Sequence, residues 1–154
     1  MVACSYNLTG SSGNKETIAS DLVFILPSAT LYHFGVLTSD VHMAWVRTVC
    51  GRLKSDYRYS TSIVYNNFPW PNPNEKQRQT IETAAQGVLD ARALFPNESF
   101  AALYDPTRMP PELAKAHRTL DSAVKKAYGG KGFASEAERV ADLMERYQNI
   151  ILGG

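Results

Sequence analysis

Four charged residues alternate along one short stretch of the chain: Arg52, Lys54, Asp56 and Arg58. An extended segment has a side-chain period of two, so all four would share one face, with Leu53, Ser55, Tyr57 and Tyr59 on the other. Such a face can read nucleic acid, because Arg pairs bidentately with guanine and a carboxylate accepts from the cytosine amino group. It also suits a solvated edge strand whose charges block edge-to-edge aggregation. With Arg47 included, the stretch from Arg47 to Arg58 holds four cations against one acid, a local charge of +3 where the whole chain carries +1.

No second constellation of comparable chemistry exists in the sequence. There is no GxSxG, HExxH, P-loop or glycine-rich dinucleotide turn, so no catalytic residue is assigned. Cys4 and Cys50 have no metal-ligand spacing with His33, His42 or His117, and no metal site is expected. His33 and His42 flank a short turn and could meet, but no carboxylate or thiol completes a ligand set, and structural histidines are the expectation. His117 and Asp121 stand four apart, a spacing that suits a helix-surface pair. The segment Asn66–Trp70 approaches the NPPY/F motif of amino-methyltransferases, but no proline directly follows an asparagine. The aromatics Tyr57, Tyr59, Tyr65, Phe68 and Trp70 either stack on bases near the basic stretch or pack a joint between two halves.

These residues need elements to hold them. Residues 1–16 are rich in Gly, Ser and Asn without a sustained period, an opening that reads as the interior of something larger. Leu22–Leu26 is a short apolar run bounded by Asp21 and Pro27, which reads as a strand, and Ala29–Leu37 as a second one. Asp40 is the expected cap of a helix with Val41, Trp45 and Val49 on one face, stopped by Gly51. The strand Arg52–Tyr59 follows, then a short one at Ile63–Tyr65. The three prolines of FPWPNPN forbid a helix or a central strand, which makes this segment an extended connection and the expected domain boundary.

Beyond it the pattern is helical. Asn74 with Gln77 opens a helix carrying Ile81, Ala84, Ala85, Val88 and Leu89, and residues 98–104 form a short one. Pro110-Pro111 opens another, with Leu113, Ala116, Leu120, Val124, Ala127 and Tyr128 inward, and Ser135 with Glu138 opens the last, with Val140, Leu143, Met144, Tyr147, Ile150 and Ile151 inward.

The totals limit the partners. A chain of 154 residues with 44% hydrophobic content can bury a core. Residues 1–70 carry five basic and four acidic residues and residues 71–154 eleven of each, so the basic signal belongs to the first half. Near-neutral charge excludes a general nucleic-acid coat and leaves room only for local contact. Two cysteines form no disulfide framework, and neither a membrane-length apolar run nor a signal-peptide pattern is present, so the expected location is the cytoplasm, with no membrane partner.

The string LYHFGVLTSDVHMAWVRTVCGRLKSDYRYSTSIVYNNFPWP resembles the end of the target-recognition domain of bacterial DNA methyltransferases of the MmeI-like restriction–modification family. AAQGVLDARALFP, LYDPTRMPPELAKAHRTLDSAVKKAYG and SEAERVADLMERYQ resemble that family's C-terminal helical domain, and the resemblance covers residues 18–150. It implies a parent that methylates the exocyclic amine of adenine in double-stranded DNA with S-adenosylmethionine. The family's cofactor motif and NPPY/F motif have no counterpart here, so the chain itself is expected to hold no cofactor and to be inactive alone, needing the methyltransferase domain of the parent.

The expected fold class is therefore α+β: a small mixed α/β half over 1–71, part of a DNA target-recognition domain, followed by a C-terminal antiparallel helical bundle over 72–154. Within the family, Asp56 and Arg58 are the expected base readers, since an acid and an Arg two residues apart can address both halves of a C·G pair. Arg52 and Lys54, with no acid beside them, suit phosphates. The alternative is a helical protein-interaction module without DNA binding of its own. Strand edges stripped of their neighbours would invite homo-oligomerisation.

Overall fold

In the computed structural model the described residues are 26, 28–53, 56–129 and 132–153. They run as α1 (Leu31–Thr38), α2 (Asp40–Val49), β1 (Gly51–Leu53), β2 (Asp56–Arg58), a π-helical turn (Thr61–Tyr65), α3 (Glu75–Ala93), α4 (Phe100–Leu103), α5 (Pro111–Ala127) and α6 (Glu136–Leu152). The α+β expectation is overturned: apart from a ribbon of three residues per strand, the described chain is helical. The expected strand at 22–26 falls, but for Leu26, outside the described residues.

The largest departure is at Ala29–Leu37, expected as a strand and found as α1. Tyr32, Phe34 and Val36 alternate with Leu31, His33 and Gly35, but so short a run, apolar at most positions, does not separate a buried strand from a buried helix. The local start signal decides it, because the Thr30 side chain and His33 form a capping box in which Thr30 N donates to His33 Nδ1 at 3.1 Å. Gly35 then fixes the depth of packing. A Cβ there would sit 2.9 Å from Ile81 Cγ2 and 3.2 Å from both Ala85 Cβ and Leu120 Cδ1, so only glycine lets α1 close onto α3 and α5.

The following helix begins one residue earlier than expected, with Ser39 rather than Asp40 as its cap; Ser39 Oγ accepts from His42 N. Ile63–Tyr65 lies in the π-helical turn and not in a strand, and Asn67 Nδ2 donates to the carbonyls of Ser62 and Ile63 at 2.9 and 3.0 Å.

The helical starts after residue 72 follow their sequence signals. Asn74 and Gln77 form a reciprocal capping box on α3, and Pro111 sits in the first turn of α5. On α6, Ser135 Oγ accepts from Glu138 N, while Glu138 Oε2 reaches back to Ala134 N rather than to the cap itself. Helices α3 and α5 form the main packing pair, α1 lies across α3, and α2 rests on α6.

One core runs through both halves. Phe34, Val36, Trp45, Ile81, Leu120 and Leu143 all belong to it. The proline segment is threaded through this core rather than skirting it. Pro69 and Pro71 are buried, and their carbonyls accept from Tyr128 Oη at 2.9 Å and Tyr32 Oη at 3.2 Å. Those two bonds satisfy buried acceptors that no strand or helix partner reaches.

Candidate nucleic-acid interface

The alternating charges expected on a single strand are divided by a chain reversal. β1 and β2 pair antiparallel with Gly51 opposite Arg58, Arg52 opposite Tyr57 and Leu53 opposite Asp56. Directly opposed residues share a face of an antiparallel pair, and neighbours along one strand alternate. Position 52 therefore falls on the face of position 57, while 56 and 58 share the other face with 51 and 53. The expected common face for all four charges is corrected to this arrangement; Lys54 lies outside the described residues. Asp56 and Arg58 keep their common face.

A two-stranded ribbon of this length is marginal alone and depends on what holds its ends. Entry is direct from α2, where Cys50, the C-cap, donates its N–H to the Val46 carbonyl. At the exit, Tyr59 Oη lies 3.2 Å from His42 Nε2. His42 is 1% exposed and meets the edge of Phe68 with ring centroids 4.6 Å apart. Burial lowers its pKa to about 4, so the ring is neutral at physiological pH. Past Tyr59, Trp45 Nε1 donates to the Val64 carbonyl at 2.9 Å, fixing the π-helical turn to α2. The aromatic joint read from the sequence is thus structural at Phe68 and Trp70, whose rings meet edge-on at 5.5 Å.

A second set of contacts holds α2 to the helices behind it. Asp40 Oδ2 accepts from Lys125 Nζ at 2.6 Å and Arg139 Nη1 at 3.1 Å, and Asp40 N donates to Asp121 Oδ1 at 2.8 Å. Burial, with the Asp40 charge adding to it against the hydrogen bond from Asp40 N, raises Asp121 to about 6. At the other end of α2, Arg47 makes a bidentate pair with Glu136, at 2.8 and 2.9 Å. That pair removes Arg47 from the cations counted towards the basic stretch.

Sequence reasoning missed the Asp40 cluster. Its signal was Arg139, a cation one turn before Leu143 on the apolar face of α6, where burial demands a partner. The three histidines do not come together. His33 bonds Thr30, His42 meets Tyr59, and His117 Nε2 lies 2.8 Å from Tyr104 Oη. His117 and Asp121 therefore serve separate partners rather than each other. Among the described residues no group of His, Cys, Asp and Glu could hold a metal ion.

Residues 7–72 match the MmeI target recognition domain, and residues 73–152 match the MmeI C-terminal domain. The chain belongs to the MmeI family. The ribbon lies within the target-recognition span, and α3 to α6 make up the C-terminal span. A solved structure of the Type IIL restriction-modification enzyme MmeI in complex with DNA is 55% identical, with a TM-score of 0.78 over 82% of this chain and 17% of that one. DNA methyltransferase A of Bacillus subtilis (strain 168) is 42% identical over 135 residues, which are 88% of this chain and 15% of the relative. The chain thus spans about one sixth of the proteins it resembles, and corresponds to the target-recognition and C-terminal region of an MmeI-type DNA methyltransferase.

Proposed function

We propose that this chain supplies the base-reading ribbon and the helical support of a site-specific adenine-N6 DNA methyltransferase of a restriction–modification system. Its partners are double-stranded DNA and the methyltransferase domain of the larger protein, and the chain alone transfers no methyl group. The observation that carries this reading is an antiparallel ribbon with alternating charge inside the span that matches a target recognition domain. A two-stranded ribbon fits the B-DNA major groove, where every base pair presents a distinct donor and acceptor pattern.

On this reading Asp56 and Arg58, two apart on one face of β2, address a single C·G pair, the acid accepting from cytosine N4 and the Arg donating to guanine O6 and N7. Arg52 falls on the opposite face and, with Lys54, suits the flanking phosphates. The methyl donor implied by the family, S-adenosylmethionine, does not fit the described residues. They contain no glycine-rich strand-to-helix turn, and the groove between α3 and α5 is an open channel lined mainly by lysines, threonines and alanines. The cofactor is therefore assigned to the rest of the larger protein.

Duplex binding across a range of salt tests the proposal. A DNA-reading chain loses affinity linearly in log–log form, because each neutralised phosphate releases counterions. Binding without salt dependence, or none, would favour the second reading, a helical interaction module. That reading draws on Ile150, Ile151 and Leu152, which stand exposed at the end of α6 although the helical stripe placed Ile150 and Ile151 inward.

A further inference from the structure

We propose that the groove between α3 and α5 is a second DNA contact, one that holds phosphates and reads no bases. The inference rests on the DNA-binding reading above but concerns a different surface. Helix α5 presents Lys115, Arg118, Ser122 and Lys126 along the groove, all exposed, at spacings of three, four and four residues that keep them on one face. Lys76 joins them from α3, whose first turn lies beside the end of α5: Gln77 Nε2 donates to the Lys126 carbonyl at 3.1 Å.

Ion pairing distinguishes these four cations from most of those behind the groove. Arg47, Arg78, Lys125, Arg139 and Arg146 all have carboxylate partners. Among the described residues, Lys76, Lys115, Arg118 and Lys126 have none. The groove's two acids, Asp90 and Glu112, sit at its far end, where the last turns of α3 meet the start of α5. One end of the channel is therefore purely basic.

The cationic row on the rim fits a nucleic-acid strand in length, above a floor made of small residues such as Ala84, Gly87, Ala116 and Ala123. Lys115 to Lys126 covers roughly 16 Å of helix at 1.5 Å per residue. One DNA strand presents about five phosphates over that distance, at 3.4 Å per step along the axis. A docked third helix fits less well. The positions of α3 that rim the groove at heptad spacing include Lys76, Thr80, Thr83, Gly87 and Asp90, where a helix seam needs apolar knobs. Burying that rim would strand its charges, whereas a hydrated phosphate backbone leaves them wet.

The test compares the 154-residue chain with a variant carrying Lys76→Gln, Lys115→Gln, Arg118→Gln and Lys126→Gln, using mixed-sequence duplex DNA over ~50–200 mM salt. All four side chains are exposed, and an unchanged urea midpoint confirms that the variant is folded. The expected result is a salt slope shallower by about 3.6, roughly 0.9 for each of the four cations, with every duplex weakened alike. Glu112→Gln should strengthen binding slightly. If the wild-type chain binds with a steep slope and the fourfold variant matches it, the groove proposal falls while the ribbon reading stands. If the wild-type chain binds no DNA, both fall. Binding of polyglutamate in preference to DNA would overturn the proposal in favour of an acidic protein partner.

Discussion

The ribbon and the α3–α5 pair divide the molecule by how each is held. The helix pair is held by its own burial: Ile81, Val88, Leu113, Leu120 and Val124 are fully inside, with small residues between them. The ribbon is held by its base, through a few directional bonds made by His42, Trp45, Tyr59 and Val64. Loops and short elements mounted on a rigid scaffold commonly carry function, because their residues can vary without loss of the core. Stability and recognition should then respond to different substitutions.

The largest separation is expected from the core. Leu120→Ala or Leu143→Ala, each at a side chain with no exposure, should cost about 2–5 kcal/mol in urea unfolding. Ile150→Ala on the same helix as Leu143, at a site 61% exposed, should stay within about 0.5 kcal/mol. Equal losses at all three would erase the distinction between the buried pair and the rest.

Next comes Gly35→Ala, which adds a methyl where Ile81, Ala85 and Leu120 already meet. Overpacking of that kind should cost about 1–3 kcal/mol, and a neutral result would mean that α1 does not close on α3 as described. Tyr59→Phe should be milder, about 0.5–1.5 kcal/mol, since it removes one hydroxyl from His42. Its sharper signature is a loss of base discrimination larger than its loss of stability. Stability and discrimination falling in step would make the ribbon's base part of the general core.

The smallest effect is a change in the shape of the acid profile. Asp121, raised to about 6, contributes stability that is full below its unfolded pKa and lost as pH rises through about 6. His42 and His117, both lowered to about 4, contribute stability present above their unfolded pKa and lost as pH falls through about 4. The two slopes oppose each other between about pH 4 and 6. Asp121→Asn should therefore make the acid-side loss steeper, read from urea midpoints at successive pH values, and an unchanged slope would remove Asp121 from the balance.

What the sequence revealed follows the same division. Helices α3, α5 and α6 were legible because capping residues and a 3.6-residue stripe agree at Asn74, Pro111 and Ser135. Helix α1 was hidden because Leu31–Leu37 is apolar on all sides, and its one helical sign, the Thr30–His33 cap, uses a histidine where Glu or Gln is usual. The reversal between β1 and β2 carries neither an Asn-Gly nor any other glycine-containing pair, so the charges looked like one continuous strand. The Asp40–Lys125–Arg139 cluster joins residues up to 99 positions apart, a separation no local pattern encodes.

The central claim is that the ribbon reads bases, and selection from a randomised duplex pool tests it most directly. The pool recovered by the unaltered chain should be enriched at a C·G pair. The chain with Asp56→Arg and Arg58→Asp together should lose or change that preference, by about 1–3 kcal/mol for each bidentate pairing with a base that is broken. If both chains recover the same sequences with the same strength, Asp56 and Arg58 are a solvated edge and the bases are read elsewhere.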